Sequence, residues 1–304
     1  MSKLLLLLLL LQNSKTQLIC SQVNVTCSEM DLVKIYWDLN GRHQDDPYLI
    51  NFIKENILIP PSSLPLQLKH GLSSDGAMKN LGGQYKQVPV VENLLKLKHK
   101  LKTGFFLEAG AACGEYISNT LYLELKYQWT GLLVEPNPDM LKLLLSKHRN
   151  AWIFPHCLST SKQVEMVHFD ASNYNSGIIL EGKIKPSQID RTKPPLPYER
   201  EMEMQCFPLN SVLKAMDNPI IDYFSLDIEG AEFAVLNSLP WKEVNITLVS
   251  VEINHAGDIF PGTRDDIKRL LLENAFEFVT TTTIDDFYLH KSFKRKGNKV
   301  KLEL

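Results

Sequence analysis

Phe105-Phe106-Leu107-Glu108-Ala109-Gly110-Ala111-Ala112-Cys113-Gly114-Glu115 is a short apolar run, then an acid, then a string of small residues. The apolar run reads as a buried strand, and an amphipathic segment, Ser118–Tyr127, follows it. Small residues between strand and helix let the backbone turn sharply and approach a ligand closely. The helix start offers free N–H groups there. The stretch lacks the Gly-Lys-Ser/Thr ending of a phosphate loop, and Ala112 interrupts a full GxGxxG. Glu-x-Gly-x-x-x-Gly therefore fits either a nucleotide-type turn or a plain tight connection.

The chain downstream repeats the pattern. Gly131–Glu135 is a second apolar run ending in an acid, and Pro138–Lys147 is a helix with Asn137 as its candidate cap. Ala151–Pro155, Val164–Asp170, Met202–Phe207, Tyr223–Ile228 and Thr247–Ile253 read as further strands. Leu209–Met216, Ala231–Leu239 and Arg264–Asn274 read as helices, and Phe276–Thr281 with Asp286–Leu289 as a closing pair. Alternating strands and helices, with short continuous apolar strands, imply an α/β fold whose mostly parallel sheet is covered on both faces. Ala171–Arg200 holds four prolines and no clear period, so it reads as a mobile surface insertion.

Upstream, Pro47–Leu58 has helical spacing, with Asp45 or Asp46 as cap and Pro60-Pro61 as stop. Ser62–Lys86 reads as loop and Val88–Lys100 as helix. The divisions expected are 1–20 as a signal peptide, 21–100 as a helical and loop section, 101–290 as the α/β domain and 291–304 as a basic tail.

Ligands in such sheets sit beyond the carboxyl ends of the strands. Glu135, 21 residues after Gly114, is suited to accept both ribose hydroxyls of a nucleoside. Asp227 and Glu229 alternate at one strand end and should share a side, with Glu252 and His255 at the next strand end close by. Two acids and a histidine fit a general-base cluster or ligands of a hard divalent metal. Equally, Asp227 and Glu229 could cap the next helix while Glu252 sits in a buried hydrogen-bond network.

Composition narrows the partners. The 304 residues carry 33 Lys+Arg against 35 Asp+Glu, a net charge of −2, which leaves no electrostatic footprint for nucleic acid. Leu4–Leu11 follows Lys3 and precedes polar residues, the pattern of a signal peptide cleaved between Ser14 and Ser21. A helix of that length rises about 12 Å, short of a bilayer core of roughly 30 Å, and no later segment reads as a spanning helix. Asn24-Val25-Thr26 and Asn245-Ile246-Thr247 fit the N-glycosylation pattern. Of the five cysteines, Cys20, Cys27, Cys113, Cys157 and Cys206, loss of the first would leave four, enough for two bridges whose pairing the spacing does not assign. Lys301-Leu302-Glu303-Leu304 approaches the Lys-Asp-Glu-Leu retrieval signal. The expected location is the endoplasmic reticulum lumen or outside the cell.

FLEAGAACGEYISNT (106–120), LVEPNP (133–138), LDIEGAE (226–232) and SVEINHAG (250–257) together resemble the FkbM-type methyltransferase domain, and more narrowly its invertebrate Star-like branch. The resemblance covers roughly residues 45–290. It implies a Rossmann-like class I methyltransferase fold with S-adenosylmethionine as methyl donor. Glu108, Gly110 and Gly114 would then form the first cofactor loop, Glu135 would take the ribose, and Cys157-Leu158 would lie near the adenine. Asp227, Glu229 and His255 become the candidate bases for transfer to a hydroxyl of a small molecule or glycan. Cys113 stands where Star-like sequences commonly have Asp. The narrower resemblance implies the alternative of a non-catalytic protein that assists transport of secretory cargo from the endoplasmic reticulum to the Golgi.

Overall fold

The computed structural model describes residues 38–69, 83–97, 103–172, 176–183, 186 and 201–295. The leucine run, Cys20, Cys27, the Asn24 acceptor triplet, the basic tail beyond 295 and Lys301–Leu304 lie outside the described residues.

Strands β1 (Phe105–Ala109), β2 (Thr130–Val134) and β3 (Trp152–Phe154) form one half of the main sheet. Strands β8 (Ile221–Leu226) and β9 (Ile246–Glu252) extend it, and β10 (Phe276–Thr281) and β11 (Asp285–His290) close it. The order is β10-β11-β9-β8-β1-β2-β3. Pairing is parallel from β3 through β9, while β11 runs antiparallel between β9 and β10. Numbered within this sheet alone, β1 sits beside the first strand of the second half, so the strand order reverses there and opens a crevice at the carboxyl edge.

Alternation along the strands divides the core into two faces. Leu107, Ala109, Leu132, Val134, Phe224 and Leu226 enter one apolar cluster, and Phe106, Leu133, Tyr223 and Leu248 the other. The first face is covered by α1 (Pro47–Phe52) and the π-helical turn Ile53–Ile57, together with α5 (Leu209–Ala215), α6 (Glu232–Ser238) and α7 (Arg264–Glu273). The other is covered by α2 (Gln87–Leu94), α3 (Leu121–Tyr127) and α4 (Pro138–Leu145). The front section therefore supplies both cores: Leu49, Ile53 and Ile57 are buried on one face, Val91 and Leu94 on the other.

Local chemistry sets the boundaries. Asp46 caps α1 by accepting from the Tyr48 N–H, and Asn137 caps α4 by accepting from Asp139 and Met140. α2 stops at Leu94, earlier than its apolar spacing suggests, because Lys96 takes φ +55°. α3 starts at Leu121, not Ser118, because Ser118, Asn119 and Thr120 bind the Glu108 carboxylate.

Two of the strands expected in the main sheet belong to a second one. β4 (Cys157–Leu158), β5 (Glu165–Asp170), β6 (Gly177–Ile178) and β7 (Glu201–Phe207) form a four-stranded sheet in the order β4-β7-β5-β6. The 171–200 segment, expected to lack structure, contributes β6, which pairs with Phe169 and Asp170. Cys157 and Cys206 are paired neighbours on β4 and β7 and are joined by a disulfide. Cys113 is the free cysteine among the described residues. Among them, no helix is long and apolar enough to cross a membrane.

Candidate active site

The main cleft opens at the carboxyl edge, between the ends of β1, β2 and β8 and the second sheet. Counted to its open mouth it holds about 1020 Å³. Glu108, Gly110, Glu135, Leu158, Asp227 and Glu229 all line it. Gly114 and His255 do not.

Gly110 takes φ +87°, and a Cβ there would stand 1.9 Å from the Asp227 carbonyl oxygen. Only glycine lets β1 turn while the end of β8 stays against it. Its N–H and that of Ala111 both donate to the Val134 carbonyl, so the turn is tied to β2. Gly114 also has positive φ, but a Cβ there would strike Leu144, and its carbonyl accepts from Arg149. It closes the turn against α4 and faces away from the cleft.

The Glu108 carboxylate accepts from Ser118 Oγ at 2.9 Å, Asn119 N–H at 2.6 Å and Thr120 Oγ1 at 2.5 Å. Burial pushes its pKa up, opposed by Arg149 and these donors. Arg149, fully buried, also donates to Glu124, the Gly114 carbonyl and Thr120. Spacing gave no hint of Arg149, because a lone arginine after α4 reads as a surface charge. The Ser-Asn-Thr stretch carried a signal only through the family resemblance. Tyr116 and Asn119 also line the cleft, as do Phe169 and Ile178 from the second sheet.

Glu135 directly follows β2, with its carboxylate 2.6 Å from the Ala112 N–H and 2.7 Å from the Asn137 N–H, one donor to each oxygen. Each oxygen keeps a second acceptor position. Burial pushes its pKa up to about 7 despite those donors.

β8 ends at Leu226, so Asp227 and Glu229 lie in the turn after it, not on alternating strand positions. Glu229 takes φ +58° and Gly230 φ +103°. His255 Nε2 stands 3.5 Å from Glu229 Oε2 and 3.9 Å from Glu252 Oε1. The two acids and the histidine are thus brought together, but His255 lies behind Glu229 as seen from the cleft. The alternative that Asp227 and Glu229 cap the next helix is not realised, since α6 has no side-chain cap. Glu232 instead accepts from the Ile228 and Gly230 N–H groups and ties the turn before it. Asp227 is pushed up to about 8 by burial and by the charges of Asp285 and Glu232. Glu252 is pushed up to about 12 by burial and by the charge of Asp227.

Residues 108–278 match the family described as the methyltransferase FkbM domain. No curated protein matches the chain. Among solved structures, the chain is similar to magnesium protoporphyrin IX methyltransferase of Synechocystis PCC 6803. With S-adenosylmethionine bound, that protein is 10% identical, with 68% of this chain and 79% of that chain covered and a TM-score of 0.37. With S-adenosylhomocysteine bound, the figures are 11%, 70%, 86% and 0.37. An enzyme described as a pericyclic reaction enzyme is 8% identical, with 66% and 45% covered and a TM-score of 0.32. The domain match, which spans more than half of the chain, carries the assignment.

Proposed function

The chain belongs to the FkbM methyltransferase family, and from that premise we propose that it transfers a methyl group to an oxygen of a small hydroxylated acceptor held in the cleft. S-adenosylmethionine is its methyl donor.

The observation that carries this reading is the cleft's donor set at the ends of β1 and β2. Glu135 is 3% exposed, yet among the described residues each of its oxygens holds one donor only, a backbone N–H. Two further hydroxyl donors, those of a ribose, complete it. Leu158 and Ile178 offer an apolar wall for a planar base, and Glu108 with Gly110 shapes the floor. The residues present fit the cofactor.

The bound donor supplies a methyl already activated on a sulfonium, so alignment provides much of the rate. Asp227 and Glu229 face the cleft and are placed to accept the acceptor's hydroxyl proton. Asp227, raised toward neutral pH, has the pKa such a base needs.

The proposal extends to the secretory pathway. The Cys157–Cys206 disulfide supports it, because such bonds persist in oxidising compartments. The Leu4–Leu11 run supports it as well.

Calorimetric titration of the full chain with S-adenosylmethionine, beside Glu135→Ala, tests the reading. Binding by the wild type and its loss in the variant are expected. No wild-type binding at millimolar donor overturns it and leaves the Star-like cargo-handling role in its place.

A further inference from the structure

Behind the Glu229 wall of the cleft, Asp227, Glu232 and Glu252 gather with no Lys or Arg paired to them among the described residues. Glu229, Glu252 and His255 can each place one ligand atom within 4.8 Å of the others, and Asp227, Glu232 and Glu252 form a second such triad. Glu252 belongs to both. Its side chain is 6% exposed, and its Oε2 is buried with no hydrogen-bond partner among the described residues. Carboxylates placed so densely in a low-dielectric interior repel one another strongly. Asp227 and Glu252 share a hydrogen bond, which needs a proton between the two carboxyls. A divalent cation at the Oε1 side of Glu252 relieves the repulsion by supplying counter-charge in place of that proton.

We propose that Glu229, Glu252 and His255 bind a divalent cation of the Mn²⁺ or Zn²⁺ class, at the inner wall of the cleft.

The geometry suits first-row metal bonds. Two bonds of about 2.1 Å span 3.5 Å at an angle of about 110°, near the tetrahedral value. That is the separation of His255 Nε2 from Glu229 Oε2, and Glu252 Oε1 stands slightly farther from the same nitrogen, at 3.9 Å. One imidazole with two carboxylates is a borderline donor set, which favours Mn²⁺ or Zn²⁺ over Ca²⁺. On the far side of the ring, Asp258 Oδ2 stands 3.6 Å from Nδ1, where a carboxylate orients a metal-bound imidazole. The Asn254 amide, 3.4 Å from Nε2, turns aside when a cation takes that nitrogen. Three protein ligands leave at least one position open, as in catalytic rather than structural sites. Glu229 lines the cleft, so a cation held by it would lie beside the space proposed for the acceptor. This last step rests on the methyltransferase reading above; the cation site itself does not.

The test uses Mn²⁺ alone, added to the full chain without methyl donor, with bound and free ion separated by electron paramagnetic resonance. One Mn²⁺ per chain is expected, displaced by Zn²⁺, with affinity at least tenfold weaker in Glu252→Gln and in His255→Asn. The second variant gives the same reading should the first not fold, as circular dichroism will show. Uptake that is absent in the wild type, or equal in the wild type and both variants, overturns the site. A chain that binds S-adenosylmethionine but no Mn²⁺ overturns this inference alone. A chain that binds Mn²⁺ but no donor supports the site and overturns the proposed transfer.

Discussion

The ends of β1 and β9 each carry a buried glutamate, and the two are treated in opposite ways. Glu108 is closed by the protein: Ser118, Asn119 and Thr120 donate to it, and Arg149 supplies charge nearby. Glu252 is left more open: one oxygen has no donor among the described residues, and its neighbours are His255 and other acids, Asp227 among them by a shared hydrogen bond. A buried polar group that the fold satisfies holds the fold. One that the fold leaves unsatisfied costs stability, and such costs concentrate where ligands bind. Burial alone does not separate the two, since Glu108 is 3% and Glu252 4% exposed. The count of donors does.

The largest effect expected concerns what keeps the cleft's outer wall in place. Cys157 and Cys206 are 49 residues apart in sequence and join β4 to β7. In the chain-entropy account, a bridge closing a loop of that size contributes about 4 kcal/mol. Replacing both cysteines by alanine should lower the unfolding free energy in urea by about that amount. Donor affinity should fall with it, because Leu158 sits on β4 next to the bond. Unchanged donor affinity would show that the second sheet holds its place without the bridge.

The sharpest contrast comes next. Glu108→Ala removes the acceptor for three donors and leaves Arg149 with less counter-charge, so a loss of about 3 kcal/mol is expected. Glu252 is protonated near neutral pH, with its pKa pushed up to about 12, so Glu252→Gln exchanges one neutral group for another of the same shape and stability should hold. Urea unfolding of both variants at pH 7.5 in metal-free buffer measures this directly. Equal losses would erase the distinction between a closed and an open glutamate.

Glu135 lies between these extremes, with one donor on each oxygen. Its pKa of about 7 means that a proton competes with the ribose hydroxyls near neutrality. The ionised form accepts hydrogen bonds at both oxygens, so donor binding favours it and releases the proton. Affinity should be level above about pH 7.5 and weaken up to tenfold for each pH unit below 7, about 1.4 kcal/mol per unit. Glu135→Gln should bind weakly and show no such slope. A wild-type affinity flat from pH 5.5 to 8 would place the ligand's hydroxyls elsewhere.

The difference between closed and open acids was only partly legible in the sequence. Short apolar strands ending in acids fixed the parallel sheet, its element order and the edge where chemistry sits, because fully buried strands need continuous apolar runs. Asp227, Glu229, Glu252 and His255 could be brought together by the switch-point rule alone. The second sheet was missed because β4 and β6 are two residues each, too short to show any period. Gly114 could not be told from Gly110, since both take positive φ and only packing shows that one meets Leu144 and the other Asp227. Arg149 was invisible for a related reason. What makes it a core residue is Glu108 and Glu124, which lie 41 and 25 residues before it, and no local pattern encodes that pairing.

The smallest effect tests the proposed compartment, and it does so at the edge opposite the cleft. Asn245 is exposed and immediately precedes β9, whose far end is Glu252. Seven residues of extended strand separate the two by about 20 Å. A glycan on Asn245 would therefore stand clear of the cleft. The segment already offers what attachment needs: the Asn245 side chain makes no hydrogen bond with the described residues, and its carbonyl is held by the Ile221 N–H. Chain recovered from a eukaryotic secretory host should lose mass when treated with an asparagine-glycan amidase. In Asn245→Gln that loss should shrink by one glycan, with stability within about 0.5 kcal/mol of the wild type. No change on substitution, in a chain that has entered the pathway, would mean that Asn245 is passed over. Donor affinity equal in the two forms would confirm that the two edges of the sheet work independently, with chemistry confined to the one where the open acids lie.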